Sequence, residues 1–242
     1  MDKTVADLAA AVAGVEDGKT VMIGGFGGAG APIELIHALI DRYRATGSPK
    51  DLTVVNNNAG NGHVGLAALI EQGMVRKLVC SFPRSADPVV FTERYLAGQI
   101  ELELVPQGTL AERIRAGGAG IPAFYTPTAY GTDLAAGKPV EEFDGRPYVQ
   151  ERWLKADVAL VKAETADTHG NLTFRAAARN FNPLMCMAAT EAIVQATRVV
   201  PAGAIDPEVV VTPGIFVQKV VEVPDPRQEE DLNRARAVYP EV

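Results

Sequence analysis

An open α/β sheet, mostly parallel and covered by helices on both faces, is the fold class this sequence predicts, and three observations predict it. Short β-branched runs alternate with longer amphipathic stretches, which is the pattern of strands joined by crossover helices. A glycine-rich turn, Gly24 to Gly30, follows the first of these runs directly. The chain, at 242 residues with 47% hydrophobic and 22% charged content, suffices for one large core and falls short of two ordinary ones.

The first strand reads Thr20-Val21-Met22-Ile23. After the glycine turn a helix opens at Pro32, where a missing N–H does no harm, and Ile33, Ile36, Leu39 and Ile40 give it one apolar face. Leu52 to Val55, Lys77 to Cys80 and Leu102 to Val105 read as further strands, each followed by a helix. The last is only half apolar, which places it at an edge. Asp144-Gly145 signals a hairpin within a small antiparallel insertion, and the sheet resumes at Val158 to Val161. Another helix starts at Pro183. Residues 1–222 form one domain; 223–242, Pro-rich and charged, read as a tail that packs on a partner or frays.

A formal net charge of −7 argues against nucleic acid and anionic membranes as partners, because both would be repelled on average. A small anion stays open, since local backbone N–H groups bind one whatever the global charge. No stretch reaches membrane length, and Met1 to Ala13 lacks the basic start and long apolar core of a signal peptide. Two distant cysteines and three histidines suggest neither a disulfide framework nor a metal site. The cytoplasm is the expected compartment.

The glycine turn lies between a strand and a helix, so its backbone can approach an anion at a positive helix end; the competing reading is a tight turn only. It also fits Gly-x-Gly-x-x-Gly, but no acid stands between Asp51 and Glu71 to bind a ribose, which argues against a dinucleotide. Gly14 to Thr20 imitates a phosphate loop with the wrong spacing on the wrong side of a strand. Asn56-Asn57-Asn58 ends the second strand, where open parallel sheets bind ligands. Neutral amides there donate to an oxyanion or carboxylate, or else close the strand as an Asx turn. Pro106-Gln107-Gly108 ends another strand, with Gln107 as an amide donor or as an idle surface residue. Phe124 to Thr132 suits a pocket wall or an interface between chains. His37, His63 and His169 lack a neighbouring nucleophile and read as surface or turn residues. Arg175, Arg179, Asn180 and Asn182 would bind an acid or a neighbouring chain.

Taken together, these residues resemble the A subunit of the family I CoA-transferases along nearly the whole chain. The resemblance rests on Asp17-Gly18, Val21 to Phe26, Gly30 and Pro32, with Asn57 to Gly60, Pro106 to Arg113 and Ala178 to Phe181 as independent matches. Asn61-Gly62, Cys80 to Arg84 and Thr212 to Val217 look most like the branch acting on 3-oxoadipate, with the acetoacetate branch second. It implies a CoA-transferase and sugar-phosphate-isomerase-like fold, with CoA thioesters as substrates, 3-oxo acids as acceptors, and no permanently bound cofactor or metal. Transfer would run through a glutamyl-CoA intermediate on a B subunit, in a heterodimer or heterotetramer. That family's glutamate sits in Ser-Glu-Asn, and none of Ser48, Ser81 and Ser85 is followed by Glu here. By resemblance Gln107 is the oxyanion donor, Asn57 and Asn58 line the site, and Gly24, Gly25, Phe26, Gly27, Gly28, Ala29 and Gly30 form a CoA loop. Ala129 departs from the family's glycine, while Gly28 and Ala31 stand at variable positions. Two readings are left beside this one. The chain could be a non-catalytic binding subunit or, from the sheet pattern alone, a sugar-phosphate isomerase, which would need its own general base.

Overall fold

A computed structural model describes residues 1–241. Its main sheet has eight strands. They are β1 (Thr20–Ile23), β2 (Leu52–Val55), β3 (Val75–Cys80), β4 (Glu101–Leu104), β8 (Ala156–Asp167), β9 (Leu172–Thr173), β10 (Ala189–Val200) and β11 (Lys219–Glu222). The order is β11-β10-β8-β1-β2-β3-β4, all parallel, with β9 alone antiparallel against β8. A second sheet of three antiparallel strands is β5 (Ala123–Thr126), β7 (Arg146–Arg152) and β6 (Val140–Phe143), in that order. The predicted edge strand is the edge. Its polar residues join an ion-pair ladder in which Lys77 meets Glu101 at 3.0 Å and Glu103 at 2.8 Å, and Arg113 meets Glu103 at 2.9 Å.

Alternating side chains divide the sheet between two cores. Val21, Ile23, Val54, Leu78 and Leu160 face one layer, in which α1 (Leu8–Val12), α2 (Ile33–Thr46), α3 (Gly65–Glu71) and α4 (Val89–Leu96) pack in sequence. Met22, Val55, Val79, Ala159 and Val161 face the other, against Leu110 and Ile114 of α5 (Gln107–Ala119) and Met185 of α6 (Asn182–Ala188). Helices therefore cover both faces. Cys80 belongs to the first core and Cys186 to the second, and burial pushes both thiols up to about 12. Among the described residues no helix is long and apolar enough to cross a membrane.

The hairpin forms where Asp144-Gly145 predicts it, with φ of 51° and 73° at those residues. Ala129 takes φ of 67°, so the position that departs from the family's glycine does require the left-handed region, and alanine occupies it under strain. The 123–126 segment is a strand of the small sheet and lines no part of the main cavity described below.

The last segment departs from a fraying tail, because residues 223–241 fold back onto their own chain. Both backbone groups of Arg227 are gripped by side chains: its N–H donates to Glu34 Oε1 at 2.6 Å, and its carbonyl accepts from Lys162 Nζ at 3.1 Å. Gln195 braces the grip by donating to Glu34 Oε2 at 2.5 Å, while its own oxygen accepts the Leu35 N–H of α2 at 3.1 Å. A short helix follows, α7 (Glu229–Arg234), and then Tyr239 donates its N–H to the His63 carbonyl and its hydroxyl to Asp41.

His37 is not a surface residue. It is 5% exposed, packs against Tyr239 with ring centroids 4.8 Å apart and planes tilted by 52°, and accepts the Gly65 N–H at Nε2 over 3.1 Å. Burial, helped by the Arg227 charge, pushes its pKa down to about 4. The unfolded chain takes up that proton near pH 6.5, so the stability from neutral His37 is whole above that pH and drains as pH falls toward 4. Urea unfolding of wild type over this window should lose about 3 kcal/mol more than His37→Gln, which keeps an acceptor without a charge. Parallel losses in the two proteins would count against this account.

Candidate active site

Because β1, β2, β3 and β4 are adjacent and parallel, their C-terminal ends open along one edge of the sheet. The loops that follow enclose a cavity of about 600 Å³, lined by Phe26, Gly27 and Gly28 after β1, Asn57, Asn58 and Asn61 after β2, Ser81, Phe82, Ser85, Ala86 and Asp87 after β3, and Gln107 after β4. Phe26 and Phe82 give it an apolar rim, 44% and 57% exposed. The fourth wall is α7, through Glu229, Glu230 and Asn233. Sequence reasoning missed the β3 loop and α7; applying the strand-end rule to Cys80 would have found the former.

At the floor of the cavity the amides form a network. Asn57 Oδ1 accepts from Gln107 Nε2 at 2.8 Å and from Ser81 Oγ at 3.0 Å. With the Asn57 oxygen so placed, its amide N–H groups remain for another acceptor. Gln107 gives one N–H to Asn57 and keeps its second. The two residues that sequence separates by 50 positions thus form one donor pair. Asn56 and Asn58 are turn-formers: Asn56 Oδ1 accepts the Asn58 N–H and Asn58 Oδ1 the Gly60 N–H, each at 2.9 Å, and Asn56 Nδ2 donates to the Ile23 carbonyl at 2.7 Å.

The glycine loop divides into parts with different tasks. Phe26 and Ala29 exchange both backbone hydrogen bonds at 3.0 Å around Gly27 and Gly28, whose φ values of 57° and 82° make a miniature hairpin tip. Phe26, Gly27 and Gly28 reach the cavity; Gly24, Gly25, Ala29 and Gly30 lie behind it. Asn180 clamps the hairpin's base, accepting the Gly25 N–H at 3.2 Å and donating to the Ala29 carbonyl at 2.9 Å. Asn182 donates to the Gly30 carbonyl at 3.2 Å. These two asparagines, expected to bind an acid or a neighbouring chain, hold the loop instead. Nor is the start of α2 a free anion site, because the Leu35 N–H is taken by Gln195 and the Ile33 N–H by the Ala31 carbonyl. Donors for a ligand come from the hairpin tip and the amide pair.

The charges on the cavity wall are all negative. Asp87, Glu229 and Glu230 line it and, among the described residues, no lysine, arginine or histidine does. Glu229 is 5% exposed, and burial pushes its carboxyl above the usual range against hydrogen bonds from the Asn61 side chain and backbone.

The sequence profile of the Coenzyme A transferase family matches residues 5–223. The chain belongs to that family. Among its relatives, the A subunit of 3-oxoadipate CoA-transferase from Pseudomonas putida is 60% identical over 223 residues, 92% of this chain and 94% of the relative. The A subunit of succinyl-CoA:3-ketoacid coenzyme A transferase from Xanthomonas campestris pv. campestris is 51% identical over 231 residues, 94% and 93% of the two chains. The fold of this CoA transferase superposes on acyl-CoA transferase YdiF of Escherichia coli O157:H7 with a TM-score of 0.81 at 23% identity, covering 94% of this chain and 48% of that one.

A paired substitution separates the packing and ligand-facing glycines of the CoA transferase loop. A methyl group at Gly24, whose backbone is ordinary, would collide with Asn182 Oδ1, whereas one at Gly27 meets open space. Gly24→Ala should lower stability by about 1–3 kcal/mol through overpacking. Gly27→Val should cost about 1–2 kcal/mol of left-handed strain and weaken binding of a CoA thioester. Thermal melts with a CoA-thioester titration check this, and unchanged affinity in folded Gly27→Val would reduce the tip to a structural turn.

Proposed function

We propose that this chain is the A subunit of a 3-oxoadipate CoA-transferase, supplying the substrate cavity while a B subunit supplies the nucleophilic glutamate. One combined observation carries the reading: 60% identity to a named A subunit, over 92% of the chain, in a molecule whose cavity presents the amide donors Gln107, Asn57 and Asn58 at its strand ends. The partner's glutamate attacks the carbonyl carbon of succinyl-CoA and the C–S bond breaks, giving an acyl anhydride and CoA thiolate. The thiolate then attacks the glutamyl carbonyl of that anhydride, releasing succinate and leaving a glutamyl thioester. 3-Oxoadipate reverses the two steps and leaves as its CoA ester. Splitting one transfer in this way replaces a difficult step by two easier ones.

In each attack negative charge collects on a carbonyl oxygen. The remaining N–H of Gln107 and those of Asn57 are preorganised donors for it, since Asn57 Oδ1 is pinned by Gln107 and Ser81. Phe26, Gly27 and Gly28 cover the thioester end. A second reading, transfer to acetoacetate, is favoured by the 51% identity to the 3-ketoacid enzyme's chain. An assay of the purified chain alone, and of the chain with its B-type partner, against 3-oxoadipate and acetoacetate decides both matters. Turnover should need the partner and prefer 3-oxoadipate; activity from this chain alone would sink the shared site.

Gln107→Ala should lower kcat about 100-fold, near 3 kcal/mol, and leave the melting temperature nearly unchanged because the residue is exposed at the start of α5. Gln107→Glu should be worse, since an ionised carboxylate cannot donate. A Gln107→Ala enzyme within about twofold of wild type, some 0.4 kcal/mol, would pass the role to Asn57.

A further inference from the structure

The cavity wall poses an electrostatic problem for the reading just given, on which this inference rests. Both acids of the proposed reaction, succinate and 3-oxoadipate, carry a second carboxylate beyond the one that reacts. That far group must enter a cavity lined by Asp87, Glu229 and Glu230 and by no cation among the described residues. Desolvating a carboxylate beside three others without a donor would be strongly unfavourable.

One of the three acids is set apart from the other two. Glu229 is 5% exposed, whereas Asp87 and Glu230 face solvent. It lies behind the tip of the glycine hairpin, and a Cβ at Gly28 would stand 3.8 Å from its Oε2. Its place is fixed by the double grip on Arg227 two residues earlier, which uses Glu34 of α2 and the buried Lys162 of β8. Asn233 follows one helical turn later on the same face of α7, lining the same cavity, and its Oδ1 is buried without a hydrogen-bond partner. The Asn233 side chain, its Oδ1 turned toward Gly62, and the Glu229 carboxyl, with no cation beside it on the wall, thus border one space. The floor donors Gln107 and Asn57 open onto that space as well.

We propose that Glu229, as a neutral acid, donates a hydrogen bond to the far carboxylate of the dicarboxylic substrate while its other carboxyl reacts at Gln107 and Asn57. A carboxylic acid meeting a carboxylate shares a short, charge-assisted hydrogen bond, and the pair carries one negative charge instead of two. The arrangement recognises dicarboxylic acids specifically, because acetoacetate has no far carboxylate to accept the proton. Burial favours the neutral form of Glu229, opposed by hydrogen bonds from the side chain and the backbone of Asn61. The charged groups around it are Arg227, Glu230, Asp231 and Arg234 on the same segment, with Arg234 paired to Glu230 at 2.9 Å, Asp87 from the β3 loop, Glu34 from α2 and Lys162 from β8; the glycine loop contributes none.

The test uses the complete enzyme, this chain with its B-type partner, and compares kcat/KM for 3-oxoadipate and for acetoacetate as acceptors. Glu229→Ala should lower the value for 3-oxoadipate by about 10- to 100-fold relative to acetoacetate, the loss expected when a site built to donate is left without its donor. Glu229→Gln, which donates at every pH, should stay within about threefold of wild type. In wild type kcat/KM for 3-oxoadipate should fall as pH rises and Glu229 ionises, and in Glu229→Gln that limb should flatten. Equal losses for both acceptors, or an unchanged pH limb in Glu229→Gln, would overturn the proposal and leave Glu229 a structural acid. Should Glu229→Ala fail to assemble, the pH profile of the isosteric Gln variant decides alone. A wild-type enzyme that uses acetoacetate but not 3-oxoadipate would overturn the functional reading and this inference together.

Discussion

Asn182 is the residue around which the site is assembled. It is wholly buried, and its side chain joins three parts of the fold: Oδ1 accepts the Lys162 N–H of β8, while Nδ2 donates to the carbonyls of Gly30 and Ala178. Burying an amide is unfavourable unless its hydrogen bonds are made, so the three partners are held to one geometry. Gly24 is the counterpart, because any larger residue there would occupy the space of the Asn182 side chain. The loop after β1 is thereby fixed against β8 and α6, and its tip projects over the strand ends. Without that anchor the glycine run would be a flexible turn.

The cavity built on this frame separates two kinds of polar chemistry. Its floor holds two neutral amides, Asn57 with its oxygen engaged by Gln107 and Ser81, and Gln107 with a second N–H left over, an arrangement suited to charge that appears only in the transition state. Its far wall is carboxylic. A permanent cation on the floor would bind the substrate acids tightly before reaction and stabilise ground and transition states alike. Amides avoid that uniform binding, and Lys162, a buried cation of the strand layer, is occupied by the Arg227 carbonyl.

What sequence could reveal of this followed the physical range of its signals. Strands β1 and β2 and the Leu78–Cys80 end of β3 are short, mostly apolar runs buried on both faces, and they were legible from those runs. β10 was not, because Thr190, Glu191, Gln195 and Arg198 interrupt the pattern; two of them serve the Glu34 brace and the ion pair with Lys219. Gln107 and Asn57 were found because parallel sheets place ligands at strand ends, whatever the loops look like. The glycine motif misled in part. Gly24 and Gly27 are identical letters, and what separates them is Asn182, far along the chain at the start of α6. α7 was invisible for a similar reason: Glu229-Glu230-Asp231-Leu232-Asn233-Arg234 reads as solvated tail, and its anchor is the backbone of Arg227, which no side-chain pattern displays.

The grip on Arg227 also bears on the order in which the molecule comes together. It brings residue 227 to Glu34 across 193 positions of chain, and to Lys162 across 65. Contacts of that separation must close long loops before they return any stabilisation, a cost the pairing of Val21 with Val158 carries as well. The segment before α7 is held by side-chain hydrogen bonds to its backbone rather than by a strand ladder, which places the acidic wall at the low-stability end of the native molecule. The amide floor is a product of the sheet. The acidic wall is a product of one gripped residue, Arg227, laid across it.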